Sequence, residues 1–428
     1  MPIKKVVANG TAEYEFLKQF KKQSVESDKK FVPIVEEIIS TVKQQGDKAL
    51  LYYTEKFDKI KLQSFEIPQE EIDAAVTQCG AEFLAAITAA ADNIRDFHAR
   101  QIQQSWLTTK SNGVIMGQRV RGLNRVGIYV PGGTAAYPSS VLMTAIPAKL
   151  AGVKEVIMVT PPGLVSPKIL AAAKISGVDR IFTVGGAQAV AALAYGTQNI
   201  PQADKIVGPG NIFVATAKKL LFGTVDIDMI AGPSDILIIA DSTANPAYVA
   251  ADLLSQAEHD VLASSILLTT DAELAKQVEA ELETQLQKLE RKDIAEKSIS
   301  DLGAIVVCSS MAQAIEFANE IAPEHLEVCC ANPMEYIGKL DNAGSVFLGN
   351  YSPEPLGDYF AGPNHVLPTS GTARFFSPLS VESFVKKSSF IYYNKEALQK
   401  DAPLVMEIAA AEGLTAHKNS INIRLQDN

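Results

Sequence analysis

The stretch VGIYVPGG, residues 126–133, is the clearest indication of the fold in this sequence. A short apolar run that ends in proline and glycine is typical of a buried β-strand followed by a tight turn. The next segment, YPSSVLMTAIPAKLAG (137–152), is apolar and carries Pro138 near its start, which favours a helix. Strand, turn and helix in this order begin a βαβ unit, so the stretch predicts a parallel sheet.

The same pattern recurs three times further along the chain. The predicted strands EVIMVT (155–160), RIFTVG (180–185) and KIVG (205–208) end in the turns PPG, GGAQ and GPGN. The uncharged run 181–203 contains glycine, glutamine, asparagine and proline, which favour strand, turn and helix over a membrane span. Ligands of open α/β sheets bind beyond the carboxyl ends of the strands, so the four turns predict one site of nucleotide type.

That nucleotide signal has a structural alternative. No GxGxxG motif follows any strand, and no acidic residue is obvious for a ribose hydroxyl, so the turns could belong to a fold without a nucleotide. Gln188 in GGAQ and Asn211 in GPGN favour a ligand, because they lie where side chains would meet it.

A second block of alternating strands and helices follows. Its predicted strands are SDILIIAD (234–241), SSILLTT (264–270) and IVVC (305–308), with a helix after each. Before both blocks, apolar residues at helical spacing, such as Val35, Ile38, Ile39 and Val42, predict helices, and His98 is interpreted as a half-buried structural histidine. After about residue 345 the chain is predicted to be irregular, ending in a short helix at about 402–412.

The predicted fold class is therefore α/β, with two Rossmann-like domains that are incomplete, doubly wound and mainly parallel. The predicted boundaries are an N-terminal helical region (1–105), a first Rossmann-like domain (120–233), a second (234–378) and a C-terminal arm (379–428).

Composition excludes several classes of protein. The chain has 428 residues, 47% of them hydrophobic and 21% charged, which are globular values. A formal net charge of −10 and the lack of a long basic run argue against a nucleic-acid or anionic-membrane partner. The N-terminus has no apolar signal region, so we expect a cytoplasmic location. The four cysteines form no CxxC motif and indicate buried thiols.

Polar clusters indicate a metal site. In SQAEHD (255–260), Gln256 and His259 are three residues apart and share a helix face, a spacing that suits two metal ligands or a solvated helix end. Further candidates with acidic or imidazole side chains follow in less regular sequence: Asp358, His365, Glu412 and His417. Such nitrogen and oxygen donors can hold zinc without thiolate.

Glu324 and His325 stand side by side in IAPEHLEV, between Pro323 and a strand-like LEVCC. In a turn at a sheet edge, two titratable groups can act as acid and base in separate steps. The alternative is a capping glutamate and a hydrogen-bonded structural histidine.

The order of the motifs resembles that of the histidinol dehydrogenase family. VGIYVPGG, GGAQA, GPGN, AGPSD, QAEHD, PEHLE, LGDYFAGPNHVLPTSGTARF and EGLTAH carry the resemblance over most of the chain. It implies an NAD-dependent, zinc-containing enzyme that oxidises L-histidinol to L-histidine. The four electrons would pass to two NAD+ through bound L-histidinaldehyde, in the last step of histidine biosynthesis.

The resemblance also implies roles for single residues. His325 would be the base in both oxidations, and Glu324 would activate water. The zinc ligands, which also contact the substrate, would be Gln256, His259, Asp358 and His417. Ser234, His365 and Glu412 would bind substrate with His325, and Tyr129, Gln188 and Asn211 would bind NAD. The family is similar in forming a homodimer whose C-terminal arm reaches the neighbouring site, so Glu412 and His417 would act across the interface.

Two other functions are compatible with parts of the pattern. A zinc hydrolase would use Glu324 as its general base and would need no NAD+. A scaffold protein would use zinc only to hold a dimer together, and would show no turnover.

Overall fold

The computed structural model describes residues 3–23, 30–131, 137–230 and 232–426, without the side chains of 19–23 and Leu164. The predicted PGG turn at 131–133 therefore lies largely outside the described residues. In chain order the helices are α1 Ala12–Gln23, α2 Val32–Gln45, α3 Asp47–Asp58, α4 Gln69–Gln78, α5 Ala81–Ala99, α6 Pro138–Leu150, α7 Pro167–Ser176, α8 Gly186–Tyr195, α9 Ile212–Leu221, α10 Pro246–Ala257, α11 Ala272–Leu286, α12 Lys292–Leu302, α13 Met311–Ile321, α14 Glu354–Tyr359, α15 Lys395–Ala411 and α16 Thr415–Asn422.

The described strands form two parallel sheets and a smaller antiparallel one. They are β1 Lys4–Val7, β2 Trp106–Thr109, β3 Ile115–Gly122, β4 Arg125–Tyr129, β5 Glu155–Thr160, β6 Arg180–Thr183, β7 Lys205–Val207, β8 Asp226–Ile227, β9 Asp235–Ala240, β10 Ser264–Thr269, β11 Ala304–Val307, β12 His325–Cys329, β13 Ser345–Leu348 and β14 Val385–Tyr392. The first parallel sheet has the order β6-β5-β4-β7-β8 and the second has the order β1-β11-β10-β9-β12-β13. The predicted α/β class with two mainly parallel sheets is confirmed.

The first parallel sheet is covered by helices on both faces, because its strands are apolar on both sides. Val126, Ile128 and Met158 pack on one face with residues of α4 to α7. Tyr129 and Ile157, from the opposite side of the same strands, pack on the other face with residues of α2, α3, α8 and α9. This alternation follows from the two-residue period of a strand.

Gly127 allows helix α8 to pack closely against β4. A side chain at this position would meet Leu193 Cδ1 of α8 at 2.7 Å, so only glycine allows this helix to approach the middle of the strand. The stretch VGIYV thus determines both a strand and the helix packing above it.

The second sheet is built in the same way. Ile236 and Ile238 of β9 pack with α10, α11 and α12 on one face. Leu237 and Ile239 pack with α1 and α13 on the other. Every described strand pair in this sheet is parallel.

The N-terminal region differs from the prediction in one element. Instead of being helical throughout, it begins with β1, which pairs with β11 at an edge of the second sheet. Only four residues long, KKVV has too few apolar positions to be distinguished from a loop. Helices α2 to α5 pack on the first sheet, as the clusters above show. The domain boundaries stay a prediction.

Residues 102–122 and 385–428 form a compact unit of their own, separate from residues 1–101 and 123–384. In this second unit β14, β3 and β2 form an antiparallel sheet, and α15 and α16 follow. The expectation of an irregular segment ending in a short helix at 402–412 is wrong here. The helix is the 17-residue α15, which begins at Lys395 and contains Pro403. Lysines and serines in β14 hide the alternation that would indicate a strand.

The cysteines and the apolar helices bear on two predictions about the whole chain. The four cysteines are free thiols, three of them buried, as predicted. Among the described helices none is long and apolar enough by itself to cross a membrane, and only the pair α4 and α5, bent by 114°, meets the criteria when joined.

Candidate active site

The predicted Glu324 and His325 pair lies at the amino edge of the second sheet. His325 is the first residue of β12, and Asp235 is the first residue of the neighbouring β9. The Glu324 backbone N–H donates to Asp235 Oδ1 at 2.8 Å, and the Asp235 N–H donates to Glu324 Oε2 at 3.1 Å. These reciprocal bonds hold both carboxylates at the starts of the neighbouring strands β9 and β12.

His325 is surrounded by carboxylates but bonded to a carbonyl. Its Nδ1 donates to the Asp235 carbonyl oxygen at 3.1 Å, which leaves Nε2 as the atom that faces the site. Nε2 lies 3.6 Å from Asp358 Oδ1 and 3.9 Å from Glu354 Oε1. Ligand atoms of His325, Glu354 and Asp358 all fall within 4.8 Å of one another, close enough to hold one metal ion.

The electrostatics of this cluster separate the pKa values of its members. Burial lowers the pKa of His325, but the charge of Glu324, and then of Asp358 and Glu354, raises it to about 10. Burial raises the pKa of Glu324 to about 8 and that of Glu354 to about 7. Burial also opposes ionisation of Asp358, yet its contact with His325 and the charge of His365 lower its pKa to about 2. Groups with pKa values pushed apart in this way are typical of acid–base sites.

Helix α14 positions the two carboxylates that face His325. Glu354 and Asp358 are four residues apart, so they share one face of the helix. Glu327 Oε1 accepts the backbone N–H of Glu354 at 2.7 Å, and Ser255 Oγ donates to Glu354 Oε2 at 3.2 Å. Glu354 is therefore held from β12 and from α10 at once, with only 2% of its surface exposed.

Several buried polar atoms here have no hydrogen-bond partner within the described part of the chain. They are both amide atoms of Gln256 and the Nε2 atom of His325. Gln256 is fully buried in the last turn of α10, while His259, just beyond the helix end, is exposed. Because buried polar atoms without partners are rare, their presence indicates a site for a cation or a polar ligand.

The loop after α14 carries the next predicted residue. His365 Nδ1 donates to the carbonyl of Asp358 at 2.8 Å, and its Nε2 lies 3.3 Å from the hydroxyl of Ser140 on α6. The neighbouring Asn364 donates to the Met143 carbonyl at 2.7 Å and lies 3.2 Å from Nε2 of His98. His98 is fully buried and structural, so the histidine interpretation is right but its burial was underestimated.

Three further substrate and metal candidates complete the predicted set. Ser234 is half-buried and directly precedes Asp235. Glu412 and His417 belong to the second compact unit, where both are exposed, on the cap of α15 and on α16. The structure thus brings His325, Glu324 and Asp358 together with Glu354, and the predicted four-ligand zinc set stays a prediction.

Two of the three predicted NAD residues meet at one turn of the first sheet. Tyr129 ends β4, and its hydroxyl accepts the backbone N–H of Gly186 at 2.9 Å. Gly186 has a φ of 67°, and a Cβ there would lie 2.6 Å from Gln188 Oε1. Only glycine permits this close turn, which places Tyr129 and Gln188 beside each other at the carboxyl edge.

Asn211 has a structural role in its turn. Its side-chain oxygen caps α9 by accepting the N–H groups of Phe213 at 3.1 Å and Val214 at 3.2 Å. The turn before it is held by a buried Lys218 and Asp228 ion pair: Asp228 accepts the Gly208 N–H at 2.7 Å, and Lys218 donates to the Gly208 carbonyl at 3.0 Å.

Replacing Lys218 with methionine is expected to destabilise the protein by about 3–5 kcal/mol, because it leaves the Asp228 charge buried without its cation. The measurement is the free energy of unfolding in urea. Lys219→Met is the matched control, since Lys219 is exposed on the same helix. Equal effects of the two substitutions would show that the buried pair does not stabilise this turn.

Sequence reasoning missed three residues of the site. Asp235 gave no signal, since it lies inside an apolar strand pattern. Glu354 could have been found from the spacing of Glu354 and Asp358, but the segment was interpreted as irregular. Ser140 gave no sequence signal, because its contact with His365 depends on the tertiary fold.

A parallel sheet with nucleotide-type turns, next to a second sheet with a buried histidine and carboxylate cluster, indicates an α/β enzyme that can move protons. The model of the family described as histidinol dehydrogenase matches residues 21–425. The histidinol dehydrogenase of Clostridium acetobutylicum is 56% identical over 426 residues, 99% of each chain. That of Listeria innocua is 56% identical over 395 residues, 92% of each chain.

A solved structure agrees with these relatives. The crystal structure of histidinol dehydrogenase from Elizabethkingia anophelis has a TM-score of 0.93 and 42% sequence identity, covering 99% of this chain and 98% of that one. The chain belongs to the histidinol dehydrogenase family and is an oxidoreductase. The resemblance inferred from the motifs is confirmed.

Proposed function

We propose that the protein oxidises L-histidinol to L-histidine with two NAD+, through bound L-histidinaldehyde, as the last step of histidine biosynthesis. The observation that carries this proposal is the His325 cluster, in which one imidazole ring and three carboxylates converge at a sheet edge. Two successive oxidations of one carbon need repeated proton uptake at one place, and this cluster offers it. Neither the hydrolase nor the scaffold alternative is supported by membership of an oxidoreductase family.

The donor atoms of the cluster suit zinc. Asp358 is held with a low pKa, so it is ionised and ready to bind a cation. The unpartnered amide of Gln256 is chemically suited to the same role. We assign zinc to Gln256, His259, Asp358 and, from the partner subunit, His417. When bound, zinc would supply positive charge that holds the imidazole and amine of histidinol.

His325 has the geometry of the proton acceptor. Because its Nδ1 donates to the Asp235 carbonyl, the ring is oriented, and in the neutral ring Nε2 can take the hydroxyl proton of the alcohol. The nearby carboxylates favour the protonated ring, and a cation bound at Asp358 would offset that effect. NAD+, when bound, would accept a hydride from the same carbon in each oxidation. Tyr129, Gln188 and Asn211 are assigned to bind NAD+, in the turns of the first sheet.

Glu324 is assigned to the water that converts the aldehyde to its hydrate. Its Oε2 accepts the Asp235 N–H, so its second oxygen remains available to a water molecule. Burial raises the pKa of this carboxyl to about 8, so its ionised form is a stronger base towards water than an exposed glutamate. His325 would then accept a proton from the hydrate in the second oxidation.

Ser234 and His365 would complete the substrate-binding site, together with Glu412 of the partner subunit. The carboxylate of Glu412 suits the cationic amine of histidinol. We therefore propose a homodimer with exchanged C-terminal arms, acting in the cytoplasm. Histidinol and NAD+ would be its partners, with no nucleic acid or membrane.

The test is a stoichiometry. Purified protein with Zn2+, NAD+ and L-histidinol should form two NADH, followed at 340 nm, for each histidine. One NADH with free aldehyde would contradict the bound intermediate. No NADH with metal present would contradict the proposed activity.

Metal content distinguishes the proposed zinc ligands from the close carboxylates. Asp358→Asn should lose zinc on dialysis, because a ligand is removed, whereas Glu354→Gln should keep about one zinc per chain, because Glu354 is assigned a supporting role. Zinc is measured by mass spectrometry of the metal. Loss of zinc from Glu354→Gln as complete as from Asp358→Asn would make Glu354 a ligand.

A further inference from the structure

Asp58 is the last residue of α3, and none of the described residues forms a hydrogen bond with its buried oxygen. The side chain is half-buried, and its Oδ2 atom is buried without a hydrogen-bond partner in the described ranges. Burial raises its pKa. A carboxylate in this state gains from any hydroxyl donor that reaches it.

The lysines nearest to Asp58 in sequence are occupied elsewhere. Lys56 Nζ lies over the rings of Tyr53 and Phe57 at 5.8 and 5.5 Å. Lys59 Nζ donates to the Lys56 carbonyl at 2.8 Å, and Lys61 pairs with Glu55 at 3.2 Å. Asp58 is therefore not committed to an ion pair with any of them.

Helix α3 carries Asp58 to the edge where the nucleotide turns lie. Leu50 and Tyr53 of this helix pack in the same hydrophobic cluster as Tyr129. Burial raises the pKa of Tyr129 to about 12, and the charge of Asp58 adds to the rise, as expected for a carboxylate on a helix that packs beside Tyr129. Two residues after Asp58, Ile60 contacts the PPG turn, where a Cβ on Gly163 would lie 3.5 Å from Ile60 Cδ1.

Two threonine hydroxyls in this part of the structure, like Asp58, have no hydrogen-bond partner among the described residues. Thr54 Oγ1, one helical turn before Asp58, and Thr160 Oγ1, at the end of β5, are buried without hydrogen-bond partners among the residues described. Thr160 directly precedes Pro161, and a Cβ on Gly185 would lie 2.5 Å from Pro161 Cγ. Buried polar atoms without partners thus occur directly before the PPG turn and in the last turn of α3, as expected where a polar ligand binds.

We propose that Asp58 binds the ribose hydroxyls of NAD+ and so selects NAD+ over NADP+. The inference rests on the proposed function and deepens it, because the four βα turns contain no acidic residue for this task. A carboxylate accepts hydrogen bonds from both ribose hydroxyls and repels a 2′-phosphate. Here it comes from a helix that precedes the sheet in sequence.

The experiment measures nucleotide binding to the zinc-loaded full chain, apart from turnover. NADH is titrated by its fluorescence, with NADPH in parallel, for the natural protein, Asp58→Asn and Asp58→Ser. Loss of a charged acceptor should raise the Kd for NADH by about 10-fold or more. It should also lower the ratio of the Kd for NADPH to the Kd for NADH. The KM for histidinol and the zinc content should not change.

Glu55→Gln is the matched control, since Glu55 is an exposed carboxylate on the same helix. It should bind NADH as the natural protein does. Unchanged NADH binding and selectivity in both Asp58 variants would overturn the inference, as would a loss of thermal stability with no selective effect on nucleotides. If the natural protein neither binds NADH nor oxidises histidinol with NAD+, the proposed function itself fails, which is a different result.

Discussion

Replacing His325 with asparagine is expected to lower kcat for histidinol oxidation by about 10²–10⁴-fold, the usual contribution of a general base. Asparagine can still donate a hydrogen bond towards the Asp235 carbonyl, but it cannot accept a proton at the position of Nε2. The packing around the ring, which includes Phe347 at 6.1 Å between ring centres, changes little. The measurement is the steady-state rate of NADH formation, with zinc content and NADH affinity determined on the same sample.

Zinc content gives this prediction its control. His325 Nε2 is near Asp358 and Glu354, so the ring could also be imagined as a metal ligand. If the variant keeps about one zinc per chain while losing activity, the base role holds. If it loses its zinc, the role assigned to His325 is wrong.

Replacing Glu324 with glutamine is expected to separate the two oxidations. Glutamine keeps an oxygen to accept the Asp235 N–H, so the amino edge of the sheet should survive, but it cannot take a proton from water. A rapid first NADH per site should therefore remain near the natural rate. The overall rate to histidine should fall by about 10²–10⁴-fold.

Stopped-flow absorbance at 340 nm measures this burst. The same variant is then assayed with histidinaldehyde as the substrate, which isolates the second oxidation. Equal losses with the alcohol and the aldehyde would count against a dedicated role for Glu324 in the hydration step.

Most strands of the two parallel sheets follow from the sequence alone. VGIYV, EVIMVT and SDILIIAD are apolar runs between turn residues, and such runs are buried wherever the rest of the chain goes. The same local logic identified Glu324 and His325, which are adjacent in sequence, and the GGAQ turn that carries Gln188. Local chemistry was sufficient there because each group needs only its own segment to be placed.

Other features depended on the tertiary structure, because the partner of a segment is chosen by packing between distant parts of the chain. KKVV becomes a strand only because β11 offers an open edge, and β14 becomes one by pairing with β3. α15 begins at Lys395 and continues through Pro403, so it is longer than the short helix predicted at about 402–412.

The candidate site shows the same division. The sequence by itself indicated Glu324, His325 and Asp358 as reactive groups. The tertiary structure decided the contacts. Asp235 exchanges hydrogen bonds with Glu324, and α14 places Glu354 beside His325. Helix α3, which ends at Asp58, packs in the same cluster as Tyr129. The members of each pair are far apart in sequence, so no local sequence pattern predicts their contact. Hydrophobic packing of helices on the two sheets brings them together.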